Sequence, residues 1–289
     1  MFTTTKKNLI AHLVNELGIS SDDFVFMHSG IVGLGKLENG FDTITEAFDE
    51  VLKNGLLVIP SFTYSWCKGE VYDPLTTECP NEVGSYSQNA WKDKRFVRSS
   101  DPNFAIAALK NGRNQALIES IFDIRDSCFG KNSVYDHLYQ LCDGRNGYIL
   151  LLGGAHSDFV FRCTFIHYVE EKVGVPSRYL KNFYNPQDSR EYIQQLCRFH
   201  SIQEYKAVTG IKNTEYSFPI VSDYTALGKD LIKSGFFIKK SFGYSESRMV
   251  PIRTFCDFLE EKLIAQPDYC VKGINHGYDS ENQQMFELR

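Results

Sequence analysis

The stretch "FVFMHSGIVGLGKLENGFDTITEAFDEVLKNGLLVIPSF", residues 24–62, decides the fold. FVFM (24–27) is a short apolar run that feeds a loop rich in glycine, at Gly30, Gly33, Gly35 and Gly40. FDTITEAFDEVLKNG then carries a helical pattern, with Asp42 or Thr43 near its start and Gly55 after its end. LLVIPSF (56–62) is a second apolar run, ended by Pro60. Buried strand, loop, helix and buried strand in that order form a βαβ-like unit. The two strands are therefore expected to be parallel and the fold to be α/β.

On the N-terminal side, KKNLIAHLVNEL (6–17) places Leu9, Ile10, Leu13, Val14 and Leu17 on one helical stripe, stopped by Gly18. On the C-terminal side, residues 64–103 are rich in polar, glycine and proline residues and read as a long functional loop. Its aromatic residues (Tyr64, Trp66, Tyr72, Tyr86, Trp91 and Phe96) argue for order. NFAIAALKNG reads as a packing segment of small residues, and GRNGYILLLGG (144–154) as a third apolar strand. Residues 180–215 are polar and aromatic with no clean period. SDYTALGKDLIKSG reads as a helix, and SRMVPIRTFCDFLEEKLIAQ contains another, with Val250, Phe255, Phe258 and Leu259 on its apolar side. There is no Ser/Gly linker, internal repeat or low-complexity tract, so residues 1–289 are read as a single domain.

Composition narrows the function classes. The chain is 43% hydrophobic and 14% aromatic, which is enough for a core and excludes a disordered or fibrous protein. A formal charge of -5 argues against a nucleic-acid partner, which calls for a basic face. No apolar run reaches the length of about 18 residues that a membrane span needs. MFTTTKKNLIAHLVNELG is too polar and interrupted for a signal peptide. The eight cysteines include no CxxC pair, and free thiols in a reducing cytoplasm are the expectation.

"CTFIHYVEEKVG" (163–174) carries the chemistry. On a helix, Thr164, His167 and either Glu170 or Glu171 are neighbours one turn apart. A carboxylate one turn from an imidazole fixes its tautomer and raises its basicity, which is how a general base is built. The same spacing occurs on many solvated helix faces, so spacing alone leaves both readings open. HxxE is also half of the ligand pattern of a bundle metal site, but no second Glu-x-x-His exists, so no metal is expected. His28 meets the glycine loop, and His156 follows Gly153 and Gly154; His12, His137, His200 and His276 have no companions. HSGIVGLG lacks the spacing of a phosphate loop, and there is no GxSxG elbow.

Taken together, these segments resemble the aminoglycoside 3-N-acetyltransferase family. The resemblance rests on HSGIVGLG (28–35), GLLVIPSFT (55–63), YDPLTTECPNEVG (72–84), RFVRSSDPNFAIAA (95–108), YILLLGG (148–154) and TFIHYVE (164–170), in that order, with a weaker echo in FGYSESRMVPIRTFCDFLEEKL. It implies an α/β domain with a central mixed β-sheet flanked by helices, and residues 176–220 as an acceptor-side insertion. It further implies direct transfer of an acyl group, acetyl by default, from acyl-CoA to a primary amine. By the resemblance His167 is the general base and Glu170 its partner. CoA would lie along Ser29, Gly30, Ile31, Val32 and Gly33 and along Arg98, Ser99 and Phe104, with Arg98 meeting phosphate. Loop N–H groups around Gly30 to Gly33 would face the oxyanion. The acceptor would meet Thr63, Tyr64, Gln88 and Thr164.

Four positions depart from the family pattern. Gly30 stands for a serine, Asp101 for a histidine, Gln88 (after Ser87) for an acid, and Val134 follows Ser133 where a proline is expected. A polycationic antibiotic calls for an acidic site, and the missing acid at Gln88 weakens that reading. The many Tyr and Phe residues suit stacking on a sugar or nucleobase, so the amino-sugar acceptor is either an aminoglycoside or a nucleotide-linked sugar for surface polysaccharide. A homo-oligomer is compatible with all of this. Two other readings stand beside it. One is a non-catalytic relative that binds a ligand or partner. The other is a metal-dependent hydrolase using His28, His156 and His167.

Overall fold

The expected parallel pair lies at the centre of the structure, a computed structural model that describes residues 1–122, 127–154 and 161–274. Strand β1 (Phe24–Ser29) runs parallel to β2 (Leu56–Pro60), with Phe24 opposite Leu56 and Phe26 opposite Val58. Two short strands follow, β3 (Phe96–Arg98) and β4 (Ile106–Leu109), and then β5 (Gly147–Leu152), the third apolar run of the sequence. β5 pairs in parallel along the other side of β1, from Phe24 opposite Gly147 to Ser29 opposite Leu152. Gly147 is required there because a Cβ would lie 2.1 Å from the Phe24 ring.

C-terminal to these come a hairpin of β6 (Arg178–Asn185) and β7 (Asp188–Arg198), then β8 (Tyr216–Ser222), β9 (Ile238–Phe242), β10 (Ser245–Pro251) and β11 (Val271–Ile274). The central sheet has seven strands in the order β9-β10-β5-β1-β2-β4-β3. Its core is parallel, and both flanks are antiparallel.

Both faces of the sheet are covered, which is why its central strands read as continuous apolar runs rather than alternating ones. On one face Leu57, Ile59, Val25, Met27 and Leu150 pack against Leu9 and Leu13, which precede the loop, and against Ile44 and Phe48 of the crossover helix Asp42–Val51. On the other face Phe24, Phe26, Val58, Ile149 and Leu151 meet Tyr135 and Leu138 of the helix Val134–Leu141, Phe165 and Val169 of Phe165–Val173, and Phe255 and Leu259 of Ile252–Ala265. No helix among the described residues is long and apolar enough to cross a membrane.

Three expectations need correction. Residues 64–103 are not one loop, since they hold the helix Ser85–Ala90 and the edge strand β3. The small-residue segment holds strand β4, with Ala107 and Ala108 in it and Ala105 just before it, all fully buried. Alanine is a poor strand former by propensity, and here burial between two layers overrides it. The aperiodic tract after residue 178 is the β6–β7 hairpin followed by the helix Ile202–Thr209. A hairpin outside the central sheet has no fully buried face, so its sequence never acquires a clean alternation.

The end of β1 and the end of β5 cross at glycines. Gly30 N–H donates to Leu152 O at 2.8 Å, and a Cβ on Gly30 would sit 2.4 Å from Gly154 Cα and 2.8 Å from Gly153 O. The glycine that replaces the family's serine is therefore matched to a backbone that leaves no room for a side chain. Gly30→Ser is expected to lower stability by about 1–3 kcal/mol through overpacking. Urea unfolding of the variant would check this, and an unchanged midpoint would show that the crossing yields freely.

Candidate active site

Helix Phe165–Val173 is fixed by its apolar stripe. Phe165, Ile166 and Val169 are buried against the sheet, and Phe165 meets Phe26 edge-on at 5.5 Å. Gly174, in the left-handed conformation, ends the helix, and its N–H bonds Glu170 O at 3.0 Å. With the stripe pinned, His167 is carried to the opposite side, where its side chain stays 30% exposed.

His167 Nδ1 lies 2.9 Å from Glu170 Oε2. Of the two acids that the spacing allowed, the structure pairs Glu170 with the imidazole. The hydrogen bond places the proton on Nδ1 and leaves the Nε2 lone pair facing outward. The Glu170 carboxylate is almost fully buried. Burial alone would push its carboxyl up. The His167 hydrogen bond and the Arg178 guanidinium more than offset this and hold it below the usual range. Arg178 Nε is 3.4 Å from the same oxygen, too long for a good hydrogen bond but within ion-pair reach.

An aromatic wall rises beside the imidazole. Phe129 is 5.3 Å from the His167 ring, Phe104 is 4.5 Å from Phe129, and Tyr64 and Phe62 follow at 5.2 and 5.0 Å from Phe104. Tyr64 has φ +56°, a left-handed conformation that is uncommon outside glycine. The N–H groups of Thr63 and Tyr64 both donate to Asn103 O at 3.1 Å, which holds that conformation in place. Asp101, the residue at the family's histidine position, accepts from the N–H groups of Asn103 and Phe104 at 2.7 Å. It acts as a turn cap that sets Phe104, and burial pushes its carboxyl up.

The remaining expected site residues separate into two groups. In the loop after β1, Gly30 and Gly33 N–H groups are occupied, by Leu152 O and Gly30 O. The N–H groups of Ile31 and Val32 have no intramolecular partner among the described residues, and the Val32 side chain is 88% exposed. Ser29 Oγ and His28 Nε2 are buried without a hydrogen-bond partner among the described residues. Burial drives the His28 imidazole down to about 4, so it is neutral at physiological pH.

Arg98, expected to meet a phosphate, is buried. Its guanidinium donates to Ser61 Oγ, Ser61 O, Thr77 O and Cys79 Sγ and lies over the Trp91 ring at 4.4 Å. Ser99 is likewise buried, accepting from Ile106 N–H. Thr63 is buried and donates to Pro102 O. Gln88 ties down the turn at Cys79 O and Asn81 Oδ1. Thr164 accepts the His167 N–H at its carbonyl at the start of the helix. His156 lies outside the described residues, and among those described no three His, Cys, Asp or Glu side chains come together to hold a metal.

Sequence reasoning missed Arg178 and Phe129. For Arg178 the requirement that a buried glutamate have a cation emerges only once the fold shows Glu170 to be buried.

The sequence profile of the aminoglycoside 3-N-acetyltransferase family matches residues 26–264. The chain belongs to this family. It is an acetyl-CoA-dependent N-acyltransferase, with acetyl-CoA as co-substrate. The fold agrees with that of solved acetyltransferases. Aminoglycoside acetyltransferase AAC(3)-IVa, as apoenzyme, is 21% identical with a TM-score of 0.70, covering 94% of this chain and 95% of that one. AAC-IIIb with CoASH is 17% identical at 0.66, covering 91% and 97%. AAC-VIa bound to sisomicin is 19% identical at 0.67, covering 91% and 98%. No curated protein sequence matches.

Glu171, one residue past the paired acid, has a different environment from Glu170 in this acetyltransferase. Its Oε1 accepts from Ser127 Oγ at 3.1 Å, its Oε2 is buried without a partner, and burial pushes the carboxyl up to about 7. A carboxyl whose proton is held more tightly in the folded than in the unfolded chain loses stability as pH rises from its unfolded value near 4.5 to about 7. Glu171→Gln should therefore melt higher than the wild type at pH 8, with the gap closing at pH 4. A gap that did not change with pH would refute the assignment.

Proposed function

We propose that this acetyltransferase moves an acetyl group from acetyl-CoA directly to a primary amine of an amino sugar, with His167 as general base. The observation that carries the proposal is the 2.9 Å bond from His167 to buried Glu170, which leaves Nε2 open beside an aromatic wall. A sugar amine is mostly protonated at neutral pH and attacks a thioester only after losing a proton. The ammonium first gives its extra proton to solvent, and His167 Nε2 then takes a second proton from the nitrogen as the amine lone pair adds to the thioester carbonyl. The tetrahedral oxyanion is met by the free N–H groups of Ile31 and Val32. As it collapses, the C–S bond breaks and the imidazolium returns the proton to the departing thiolate, giving the amide and CoA. No cysteine or serine is needed as a nucleophile.

Neighbouring structures hold gentamicin, apramycin and sisomicin, which supports an amino-sugar acceptor. The electrostatics favour one of low positive charge. Among the described residues near His167, Glu170 is balanced by Arg178, Asp101 is capped by two N–H groups, and Glu171, pushed up to about 7 by burial, is only partly ionised at neutral pH. None of these three is an exposed carboxylate beside the imidazole; the exposed Glu82 is the acid that acts on Tyr64. A nucleotide-linked amino sugar, with one amine and rings that stack on Tyr64 and Phe104, suits this surface.

Acetyl-CoA and CoA should each raise the melting temperature in a saturable way. Free-thiol release should be faster with a UDP-linked amino sugar than with sisomicin or gentamicin. His167→Ala should lower turnover by about 10²–10⁴-fold and leave the CoA-induced melting shift intact. Retention of most activity would remove His167 from the role of base. An absence of any CoA shift together with no turnover would favour a binding protein on this fold.

A further inference from the structure

Glu170 Oε2 faces two nitrogen donors, His167 Nδ1 at 2.9 Å and Arg178 Nε at 3.4 Å. Arg178 opens β6, and its Nη2 donates to Ser222 Oγ at the end of β8 at 2.6 Å. Its side chain is only 8% exposed, so the charge is held in place rather than sampled from solvent. The segment after residue 176, expected to shape the acceptor side, thus also reaches behind the base.

We infer that Arg178 is a positioning residue for acetyl transfer, its buried guanidinium supplying the charge that holds the Glu170 carboxylate in place behind His167. The inference rests on His167 being the base. A buried carboxylate lacking a compensating charge takes up a proton. With Arg178 present, Glu170 stays ionised without needing a charge on the imidazole. Without Arg178 the pair has only its own proton for balance. It would then hold that proton, on nitrogen or on oxygen, to higher pH, and the two sites titrate as one unit.

The other groups around the pair do not supply this charge. Tyr224 and Cys270 lie close, and burial pushes each up to about 12, so both are neutral. Asp223 is engaged by Thr225 N–H at 2.9 Å. On the helix itself Glu171 turns to Ser127, and Lys172 pairs with Glu260 at 2.5 Å.

The test is a histidine ring-proton NMR titration of the full-length protein, with the His167 signal assigned from His167→Ala, which needs no acceptor. The His167 signal should titrate about 1–3 pH units higher in Arg178→Gln than in wild type, with Arg178→Lys restoring it. In the acyl-transfer assay, the acid limb of kcat/KM should move by the same amount. Activity lost at pH 7 should then return at alkaline pH. A uniform loss of activity with an unmoved titration would reduce Arg178 to a packing role. Should Arg178→Gln fail to fold, Glu170→Gln is compared with Glu170→Gln/Arg178→Met, which removes the buried charges together. The imidazole should titrate higher in the double variant than in the single one, and equal titration overturns the inference. Absence of turnover with every acceptor, alongside the expected NMR shifts, would instead count against the proposed function alone.

Discussion

A carboxylate sealed inside a protein must be balanced, and the Glu170 charge imposes that demand on three separate parts of this chain. The helix Phe165–Val173 must lock its apolar stripe to the sheet so that His167 and Glu170 stay one turn apart on its far side. Gly174 must stop the helix, and β6 must begin where Arg178 meets Glu170 Oε2. β8 must then offer Ser222 to hold the guanidinium. Removing one partner of such a buried pair typically costs about 3–5 kcal/mol, because the charge left behind has no water to turn to.

The sequence made some of these parts legible and hid others for physical reasons. FVFM and LLVIP are strands buried on both faces, and a continuous apolar run between turn signals leaves little else to be. His167 and Glu170 are joined by local helix geometry, so their pairing is written in a three-residue spacing. Arg178 reaches Glu170 only through the fold, and no local period records such a contact. The alanines of β4 were opaque because the space between two packed layers, rather than intrinsic preference, selects them.

Arg98 teaches a different lesson. Its place in a family motif indicated a phosphate partner, whereas its donors turn inward to Ser61, Thr77 and Cys79. A motif fixes where a backbone lies, and the neighbours decide where a long side chain points. Asp101 shows the same in reverse. An apparent departure from the family histidine acts as a cap on two backbone N–H groups and so sets the aromatic wall from behind.

The glycine crossing between the ends of β1 and β5 carries a consequence for how such a protein can diversify. Gly30, Gly153 and Gly154 touch through backbone atoms, so the spacing between the loop after β1 and the end of β5 is set by main chain alone. The crossing is in this sense a rigid jaw whose three glycines have no side chains to tune. The opposing half, built from aromatic side chains and a hairpin outside the central sheet, is the jaw that substitutions can reshape. If the loop after β1 holds the thioester as proposed, new acceptors would arise by changes on one side only.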